Sequence, residues 1–259
     1  MTALSDDTRA AIGALLKEFK LPTAGAEMVR RLEDAGQDGA LEVVREVLEA
    51  ERGDRRERRV TRLRHDSMLP PGKTLETFEL NRLALPLGRK LRELCRGDFL
   101  DEATNVLAFG LPGTGKSHAA CALGHALVQA GHPVLFVPTF QLVQQLLAAK
   151  RDLELPRALR KLDRYELLIC DDIGYVKQSP DEIEVLFTLL AERYERRSVL
   201  ITSNLVFSAW DQIFRNPMTT AAAIDRLVHH CVILEFDVPS YRTQAHIGAP
   251  SEPASGDPA

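Results

Sequence analysis

Gly110-Leu-Pro-Gly-Thr-Gly-Lys116-Ser117 is the stretch of the chain from which its fold is predicted. An apolar run at 106–109 precedes it, and an alanine-rich segment at 117–128, long enough for a helix, follows it. A strand, a glycine loop and a helix in this order are the context in which the pattern G-x-x-x-x-G-K-[ST] is a phosphate-binding loop. Glycines allow the backbone to curl around an anion, and the amides and helix N-terminus direct partial positive charge at it.

The same stretch predicts the residues that hold a nucleotide. Lys116 is expected to neutralise the β- and γ-phosphates, and the hydroxyl of Ser117 to bind Mg²⁺. A chance match is the alternative, and with Gly near 7% of residues it occurs in roughly one chain of this length in a hundred. The predicted cofactor-binding set is Gly110, Leu111, Pro112, Gly113, Thr114, Gly115, Lys116, Ser117 and His118.

Composition places the chain among ordinary globular proteins. It has 259 residues, of which 45% are hydrophobic and 27% charged, with a net charge of −4. No apolar run approaches the ~20 residues of a membrane span, and the N-terminus lacks the form of a signal peptide. The four cysteines are widely separated without a C-x-x-C pair, which argues against a cysteine zinc site and predicts reduced thiols and a cytoplasmic protein.

Residues 1–66 are predicted to form helices, the third of which carries a stripe of arginines. In a protein of negative net charge this stripe is a local basic face, and it favours contact with DNA phosphates. A solvated helix with i,i+4 ion pairs and a surface for an acidic protein partner are the alternatives. The predicted DNA-binding residues are Arg52, Arg55, Arg56, Arg59 and Arg62.

From residue 105 onward the pattern predicts an α/β domain. Strands are expected at 106–109, 134–138, 167–170, 199–203 and 232–236, and helical stretches between them indicate a parallel sheet covered on both faces. Pro70-Pro71-Gly72 is a boundary signal, after which a helix is expected to run to about Arg96. The predicted domains are a helical domain at 1–69, an ATPase domain at 70–246 and a disordered tail at 247–259, rich in Pro, Gly and Ser.

Two further strands are predicted to end in residues of the nucleotide site. The apolar run at 167–170 leads into Asp171 and Asp172. Asp171 is expected to complete the Mg²⁺ shell with Ser117, and Asp172 to act as general base toward the attacking water. A pair of carboxylates at a helix N-cap is the alternative. Asn204, after the run at 199–203, is expected to orient water near the γ-phosphate, although Thr-Ser-Asn is also typical of a turn or helix cap.

Taken together, these residues resemble the IstB-like transposition helper ATPases, which are related to the DnaC-type helicase loaders within the AAA+ class. The resemblance covers roughly residues 8–246. Its motifs are Gly110–Ser117, the segment 167–175, Ile201–Asn204, Ala223-Ile-Asp-Arg226-Leu-Val-His-His230, Ser240-Tyr-Arg242, Leu16-Lys-Glu-Phe-Lys-Leu-Pro22 and Lys73-Thr-Leu-Glu-Thr-Phe78.

The resemblance implies an AAA+ core with a five-stranded parallel sheet in the order 5-1-4-3-2 and an N-terminal helical appendage. It implies that Asn204 is sensor 1 and that Arg226 is an arginine finger reaching the ATP of a neighbouring subunit. From the residues alone, Arg226 in a helix-surface salt bridge with Asp225 or another acid is the favoured reading. The resemblance further implies ATP and Mg²⁺ as cofactors, ATP-dependent homo-oligomers, double-stranded DNA and an IstA-like transposase as partners, and no membrane contact.

One departure concerns the end of the third strand, where AAA+ proteins commonly carry Asp-Glu. Asp172 is one methylene shorter than Glu, which predicts slow hydrolysis. The competing functions are a DnaC-type helicase loader, which uses the same site, a small-molecule P-loop kinase and a non-catalytic nucleotide-sensing scaffold. A sensor-2-like role for Arg242 stays open. The preference for adenine over guanine nucleotides follows only from the resemblance, because the chain has no N-K-x-D motif for recognising guanine.

Overall fold

The computed structural model describes residues 2–173, 179–206, 209–210 and 217–240. The chain divides into two compact units, one reaching to Arg62 and the other beginning at Leu63. Within the described ranges, no helix is both long and apolar enough to cross a lipid bilayer.

The first unit is built from helices α1 (Thr2–Glu18), α2 (Pro22–Asp34) and α3 (Ala40–Asp66), the last of which continues into the second unit. Ile12 and Leu16 of α1 are buried together with Leu41 of α3. Ile12 and Leu16, four residues apart, therefore lie on the packed face of α1. Helix α1 ends before Leu21-Pro22, and Pro22 then begins α2, since the first helical position needs no N–H.

The second unit contains five parallel strands. They are β1 (Asn105–Gly110), β2 (Val134–Pro138), β3 (Leu167–Ile173), β4 (Ser198–Ser203) and β5 (Cys231–Phe236), and their order in the sheet is β2-β3-β4-β1-β5. This is the predicted order 5-1-4-3-2 read from the other edge. The predicted strands agree with the observed ones to within one residue, apart from the longer carboxyl end of β3.

Helices cover both faces of the sheet, as predicted. They are α4 (Leu85–Leu94), α5 (Lys116–Ala130), α6 (Thr139–Arg151), α7 (Leu155–Leu162), α8 (Pro180–Arg193) and α9 (Pro217–Val228). Along β1, Val106 and Ala108 pack with α4 and α5, whereas Leu107 and Phe109 pack with α6 and α8 on the other face. Both faces of the strand are buried, which is why its sequence is a continuous apolar run.

The segment before the sheet differs from the predicted long helix. A short 3-10 helix covers Leu80–Arg82, and α4 begins only at Leu85, with Pro86 in its first turn. Proline at that position lacks the N–H that a helix arriving from residue 78 requires, so a new helix has to begin there. The chain before the break follows a series of turns.

The observed division between the units precedes the Pro70-Pro71-Gly72 turn. Leu63 and Leu69 belong to the hydrophobic core of the second unit, because the end of α3 packs there. The limits 1–69, 70–246 and 247–259 stay a prediction, and the tail lies outside the described residues.

All four cysteines carry free thiols. Cys121 and Cys170 are buried, as expected for small hydrophobic residues, while Cys95 and Cys231 are half-buried. Burial raises the pKa of the Cys95 thiol to about 11 and that of both Cys121 and Cys170 to about 12. These thiols therefore stay protonated near neutral pH and are poor nucleophiles and metal ligands.

Candidate nucleotide site

The predicted phosphate-binding loop connects β1 to α5 at the carboxyl edge of the sheet. Gly110 has φ +150°, and a β-carbon there would lie 2.5 Å from the carbonyl oxygen of Phe236. Gly113 and Gly115 have φ +81° and +101°, a region that residues with a β-carbon rarely adopt. The glycines of the motif are thus required by close backbone approach at the first position and by backbone conformation at the other two.

Lys116 is the first residue of α5, and only 6% of it is exposed. Its Nζ donates hydrogen bonds of 2.8 Å to the carbonyl oxygens of both Gly110 and Leu111. The buried hydroxyl of Thr114 also donates to the carbonyl of Leu111, at 2.8 Å. Side chains of the loop therefore bond to its own backbone and hold the ammonium group at the helix N-terminus, where an anion is favoured.

Asp171 and Asp172 lie at the end of β3, where the pairing with β4 is irregular. The register shifts between Cys170 and Ile173, and Asp172 has φ +60°. A bulge of this kind redirects side chains, and Asp tolerates the left-handed conformation better than most residues. The strand continues past the predicted end at residue 170 because these irregular residues still belong to it.

Thr202 of β4 connects the two carboxylate residues. Its hydroxyl donates to Oδ1 of Asp171 at 2.7 Å and accepts from the backbone N–H of Asp172 at 2.8 Å. The residue is 1% exposed. A second threonine, Thr139 at the start of α6, donates its hydroxyl to the carbonyl oxygen of Asp171 at 2.9 Å. Side-chain hydrogen bonds from two neighbouring elements thus fix the end of β3.

Asn204 lies directly after β4 and contacts the predicted general base. Its Nδ2 donates to Oδ1 of Asp172 at 3.3 Å. The structure therefore brings together two residues that are 32 positions apart in sequence, both of which sequence analysis placed near the γ-phosphate.

A cleft of about 350 Å³ joins these elements. One wall is the phosphate-binding loop, a second is the end of β3 and β4, and a third is the 73–79 segment, which precedes the sheet in sequence. The lining residues are Lys73, Thr77, Phe78, Glu79, Pro112, Gly113, Gly115, Lys116, Ser117, His118, Asp172, Thr202 and Asn204. Asp171 is not among them, so Asp172 is the acidic residue of this pair that lines the cleft.

His118 fastens the 73–79 segment to α5. Its Nε2 lies 3.1 Å from the hydroxyl of Thr77 and 3.2 Å from the carbonyl oxygen of Thr74. The ring of Phe78 meets the imidazole edge-to-face, with centroids 5.1 Å apart. Burial lowers the pKa of His118 below its usual value of 6.5, so the imidazole is neutral near pH 7. His118 was predicted to bind the cofactor, and its observed contacts are with the third wall of the cleft.

Arg226 on α9 is not among the residues that line the cleft of its own chain. Its Nη1 donates to the carbonyl of Ala222 at 2.9 Å, and its guanidinium lies 4.8 Å from the ring centroid of Phe187 on α8. No carboxylate of the described residues forms an ion pair with it, Asp225 included. The helix-surface salt bridge is therefore absent from the described part of the chain.

The arginine stripe lies on the single unbroken helix α3. All five predicted DNA-binding residues are exposed: Arg52, Arg55, Arg56, Arg59 and Arg62. Arg55 also donates to Glu51 at 2.5 Å and lies 4.2 Å from the ring centroid of Phe19. For Arg55 the structure thus shows an i,i+4 ion pair, the alternative raised by the sequence.

Sequence analysis missed Thr202 and most of the third cleft wall as site residues. A hydroxyl in an otherwise apolar strand is a signal for Thr202, because a buried hydroxyl needs a partner. Nothing in the sequence places Lys73 or Glu79 beside the phosphate-binding loop. Of the predicted residues, Arg242 lies outside the described part of the chain, as does Tyr175.

Comparison with known proteins gives consistent results. Residues 14–249 match the family described as IstB-like ATP binding protein. An insertion-sequence ATP-binding protein of Sinorhizobium fredii is 42% identical over 243 residues, which cover 93% of this chain and 82% of the relative. The ATP-binding protein of insertion sequence IS21 from Pseudomonas aeruginosa is 38% identical over 76% of this chain and 74% of its own length.

Solved structures share the fold at low sequence identity. The crystal structure of the DnaC helicase loader superposes with a TM-score of 0.57 at 17% identity, covering 64% of this chain and 98% of that one. AMPPCP-bound DnaA from Aquifex aeolicus gives a TM-score of 0.53 at 18% identity, over 70% of this chain and 54% of that one. The fold is thus the AAA+ core predicted from the sequence.

Proposed function

Since the chain belongs to the family of IstB-like ATP-binding proteins, we propose that it is the ATP-dependent, DNA-binding helper of an insertion-sequence transposase. In this proposal ATP drives oligomerisation on double-stranded DNA, the assembly deforms the DNA, and an IstA-like transposase is recruited or stimulated. Slow hydrolysis of ATP then limits the lifetime of the assembly.

The observation that carries the proposal is the cleft in which the phosphate-binding loop faces Asp172 and Asn204. Backbone amides of 110–117, the helix N-terminus and Lys116 together suit a triphosphate. The two relatives are named as ATP-binding proteins of insertion sequences, which supports ATP as the nucleotide and transposition as the context.

The donor set fits Mg²⁺ by its chemistry. Ser117 lines the cleft, and Asp171 stands at the end of β3 with Oδ1 oriented by Thr202. Hydroxyl and carboxylate oxygens are the hard ligands that Mg²⁺ prefers, and it also keeps several waters and phosphate oxygens. An ion held there would supply positive charge that stabilises the negative charge developing on the phosphate oxygens. Ser117 and Asp171 are therefore the proposed metal ligands.

For hydrolysis, Asp172 is the proposed general base. Its carboxylate accepts a proton from the water that attacks the γ-phosphorus, and Asn204 orients that carboxylate through the 3.3 Å hydrogen bond. Lys116 stabilises the negative charge on the transferred phosphoryl group. The short Asp side chain reaches less far than a Glu, which supports slow turnover.

Arg226 is the proposed finger supplied to a neighbouring subunit. It is half-exposed, packs on the ring of Phe187 and does not line the nucleotide cleft of its own chain. A finger of this kind contributes 10³–10⁵ in rate in other phosphoryl-transfer enzymes. Because it acts only across an interface, ATP hydrolysis is coupled to assembly in this proposal.

DNA contact is assigned to the exposed arginines of α3. Arg52, Arg55, Arg56, Arg59 and Arg62 are the proposed contacts, and all five are exposed. For Arg55, the ion pair with Glu51 competes with a DNA phosphate. Phosphate contacts of this kind bind without regard to sequence and weaken as salt rises, by roughly one power of the salt concentration per contact.

The experiment is to measure phosphate release from ATP by the full chain alone, with duplex DNA, and with the transposase encoded by the same insertion sequence. We expect DNA and transposase each to raise the rate, Lys116→Ala to abolish it, and Lys90→Ala, an exposed lysine of α4, to leave it unchanged. Stimulation by a replicative helicase instead of the transposase would favour the helicase loader. Phosphate transfer to a small acceptor would favour a kinase, and nucleotide binding without hydrolysis a scaffold.

A further inference from the structure

We propose that Glu195, His229 and His230 form a binding site for a first-row transition metal ion, with Zn²⁺ as the reference metal. One nitrogen or oxygen from each residue lies within 4.8 Å of those of the other two. Glu195 follows α8, and the two histidines lie between α9 and β5. No part of the proposed ATP chemistry uses these residues.

The proposed site lies at the amino ends of the parallel strands, whereas the nucleotide cleft lies at their carboxyl ends. Glu195 and the histidines precede β4 and β5, whereas Gly110, Asp172 and Asn204 stand at the carboxyl ends of strands. The strands are six residues long and rise about 3.3 Å per residue. About 20 Å therefore separates the amino ends of the strands from their carboxyl ends. A metal at the amino ends does not reach phosphates bound at the carboxyl ends.

The geometry of the cluster is close to that of a coordinated ion. Nδ1 of His229 lies 3.5 Å from Oε1 of Glu195. In a tetrahedral zinc site with metal–ligand distances of about 2.1 Å, two ligand atoms are about 3.4 Å apart. The rings of His229 and His230 have centroids 4.3 Å apart, so rotation of exposed side chains brings the third ligand in.

A buried arginine fixes the backbone that carries Glu195. Arg193, two residues earlier, is 2% exposed and donates to the carbonyl oxygens of Leu162, Tyr165 and Ser198 at 2.9–3.0 Å. Glu195 itself has φ +55°, which directs it away from the course of α8. Its Cα is therefore held on a rigid part of the structure.

A buried asparagine does the same for the histidines. The backbone N–H of Asn105 donates to the carbonyl of His230 at 2.8 Å, and Nδ2 donates to the carbonyl of Leu227 at 3.2 Å. Its Oδ1 accepts from the N–H of Val199 on β4 at 2.9 Å. Because both ligand-bearing segments are tied to the sheet, metal binding orders only side chains, and little conformational entropy is lost.

Two imidazoles and a carboxylate select Zn²⁺, Ni²⁺ or Cu²⁺ over Mg²⁺, which prefers oxygen ligands alone. Three protein ligands leave a coordination position for water. The hydroxyl of Tyr194 lies 3.2 Å from Nδ1 of His229, so it competes with the metal for this nitrogen. A bound ion joins the carboxyl end of α8 to that of α9.

The test is calorimetric titration of Zn²⁺ into untagged full-length protein, with Mg²⁺ present in millimolar excess. Absorption of bound Co²⁺ provides an independent readout of coordination. We expect one equivalent to bind and the melting temperature to rise. Either His229→Ala or His230→Ala should weaken binding by at least about 10-fold, since even changes around metal ligands cost 10–100-fold. Glu195→Gln, which keeps the side-chain size, should also weaken binding.

Matched controls are His65→Ala, an exposed histidine beside Asp66, and Glu192→Gln, an exposed carboxylate of α8. Both should retain the wild-type Zn²⁺ affinity. All variants should bind ATP as the wild type does, which shows that they are folded. The proposal is overturned if the wild type binds no Zn²⁺ more tightly than the His229→Ala, His230→Ala double variant, or if the controls lose as much affinity as the ligand variants.

Discussion

The hydroxyl of Thr202 donates a 2.7 Å hydrogen bond to Oδ1 of Asp171. The hydroxyl oxygen of Thr202 also accepts from the N–H of Asp172. A single buried hydroxyl on β4 therefore holds both acidic residues at the end of β3. The hydrogen bond gives Asp171 a fixed orientation, and the contact with the N–H supports the left-handed backbone of Asp172. Thr202, which lies within the Ile201–Asn204 motif but received no role from the sequence, thus sets the geometry on which the proposed chemistry depends.

Replacing Thr202 by Val should slow ATP hydrolysis by roughly 10- to 100-fold while leaving ATP affinity within a few-fold of the wild type. Valine has the same shape but cannot accept from the half-buried N–H of Asp172, and loss of this hydrogen bond costs about 1–3 kcal/mol of folding stability. Turnover, nucleotide titration and urea unfolding measure the three quantities. Thr188→Val on α8, whose hydroxyl donates to the carbonyl of Glu184 in the same helix, is the control. Unchanged turnover in Thr202→Val would show that Thr202 does not position Asp171 and Asp172 for hydrolysis.

Asp172→Asn should lower the turnover number by about 10²–10⁴, the usual contribution of a general base, and preserve ATP binding. Asparagine also tolerates a positive φ, so this variant removes the charge without straining the backbone. Asp172→Ala should lose the same activity and in addition destabilise the fold at φ +60°. Single-turnover hydrolysis and thermal unfolding separate the effects. If Asp172→Asn hydrolyses ATP at the wild-type rate, another group is the base.

His118→Gln should reduce the loss of stability that acid causes. Burial in the folded chain lowers the pKa of His118. Below about pH 6.5 the unfolded chain therefore binds more protons than the folded chain, and the free energy of unfolding decreases as pH falls. Glutamine has no such titration. Urea unfolding of both proteins between pH 8 and pH 5 measures the difference. His65→Gln, at an exposed position near the end of α3, should behave as wild type. Identical pH profiles for wild type and His118→Gln would contradict the assignment.

Arg193→Met should destabilise the second unit by about 3 kcal/mol or more. The guanidinium is buried and donates to three carbonyl oxygens, two at the end of α7 and just after it and one on β4, and methionine removes these hydrogen bonds. Arg196→Met is the matched control, because that exposed arginine forms surface ion pairs with Asp163 and Glu192, worth about 0–1 kcal/mol. Chemical denaturation of each variant provides the comparison. Equal stability of the two variants would show that the buried hydrogen bonds contribute little.

Strands and the phosphate-binding loop were predictable because their signals are local. The buried run before Gly110 and the glycine spacing after it dictate a strand, a loop and a helix without reference to the rest of the chain. Strand order came from the family resemblance and was confirmed. The sequence does not reveal the buried hydrogen bonds of Thr202, Arg193 and Asn105, because their partners lie up to 122 residues away in the chain. The break before α4 was not predicted, although Pro86 is a local signal for it.

Sedimentation velocity of the full chain with duplex DNA, with and without ATP and Mg²⁺, tests the central claim most directly. The account predicts large complexes only when DNA, ATP and Mg²⁺ are all present, and their loss in Arg226→Ala, with Arg89→Ala, exposed on α4, sedimenting as the wild type does. Sedimentation as a monomer that binds ATP and ignores DNA would contradict the account.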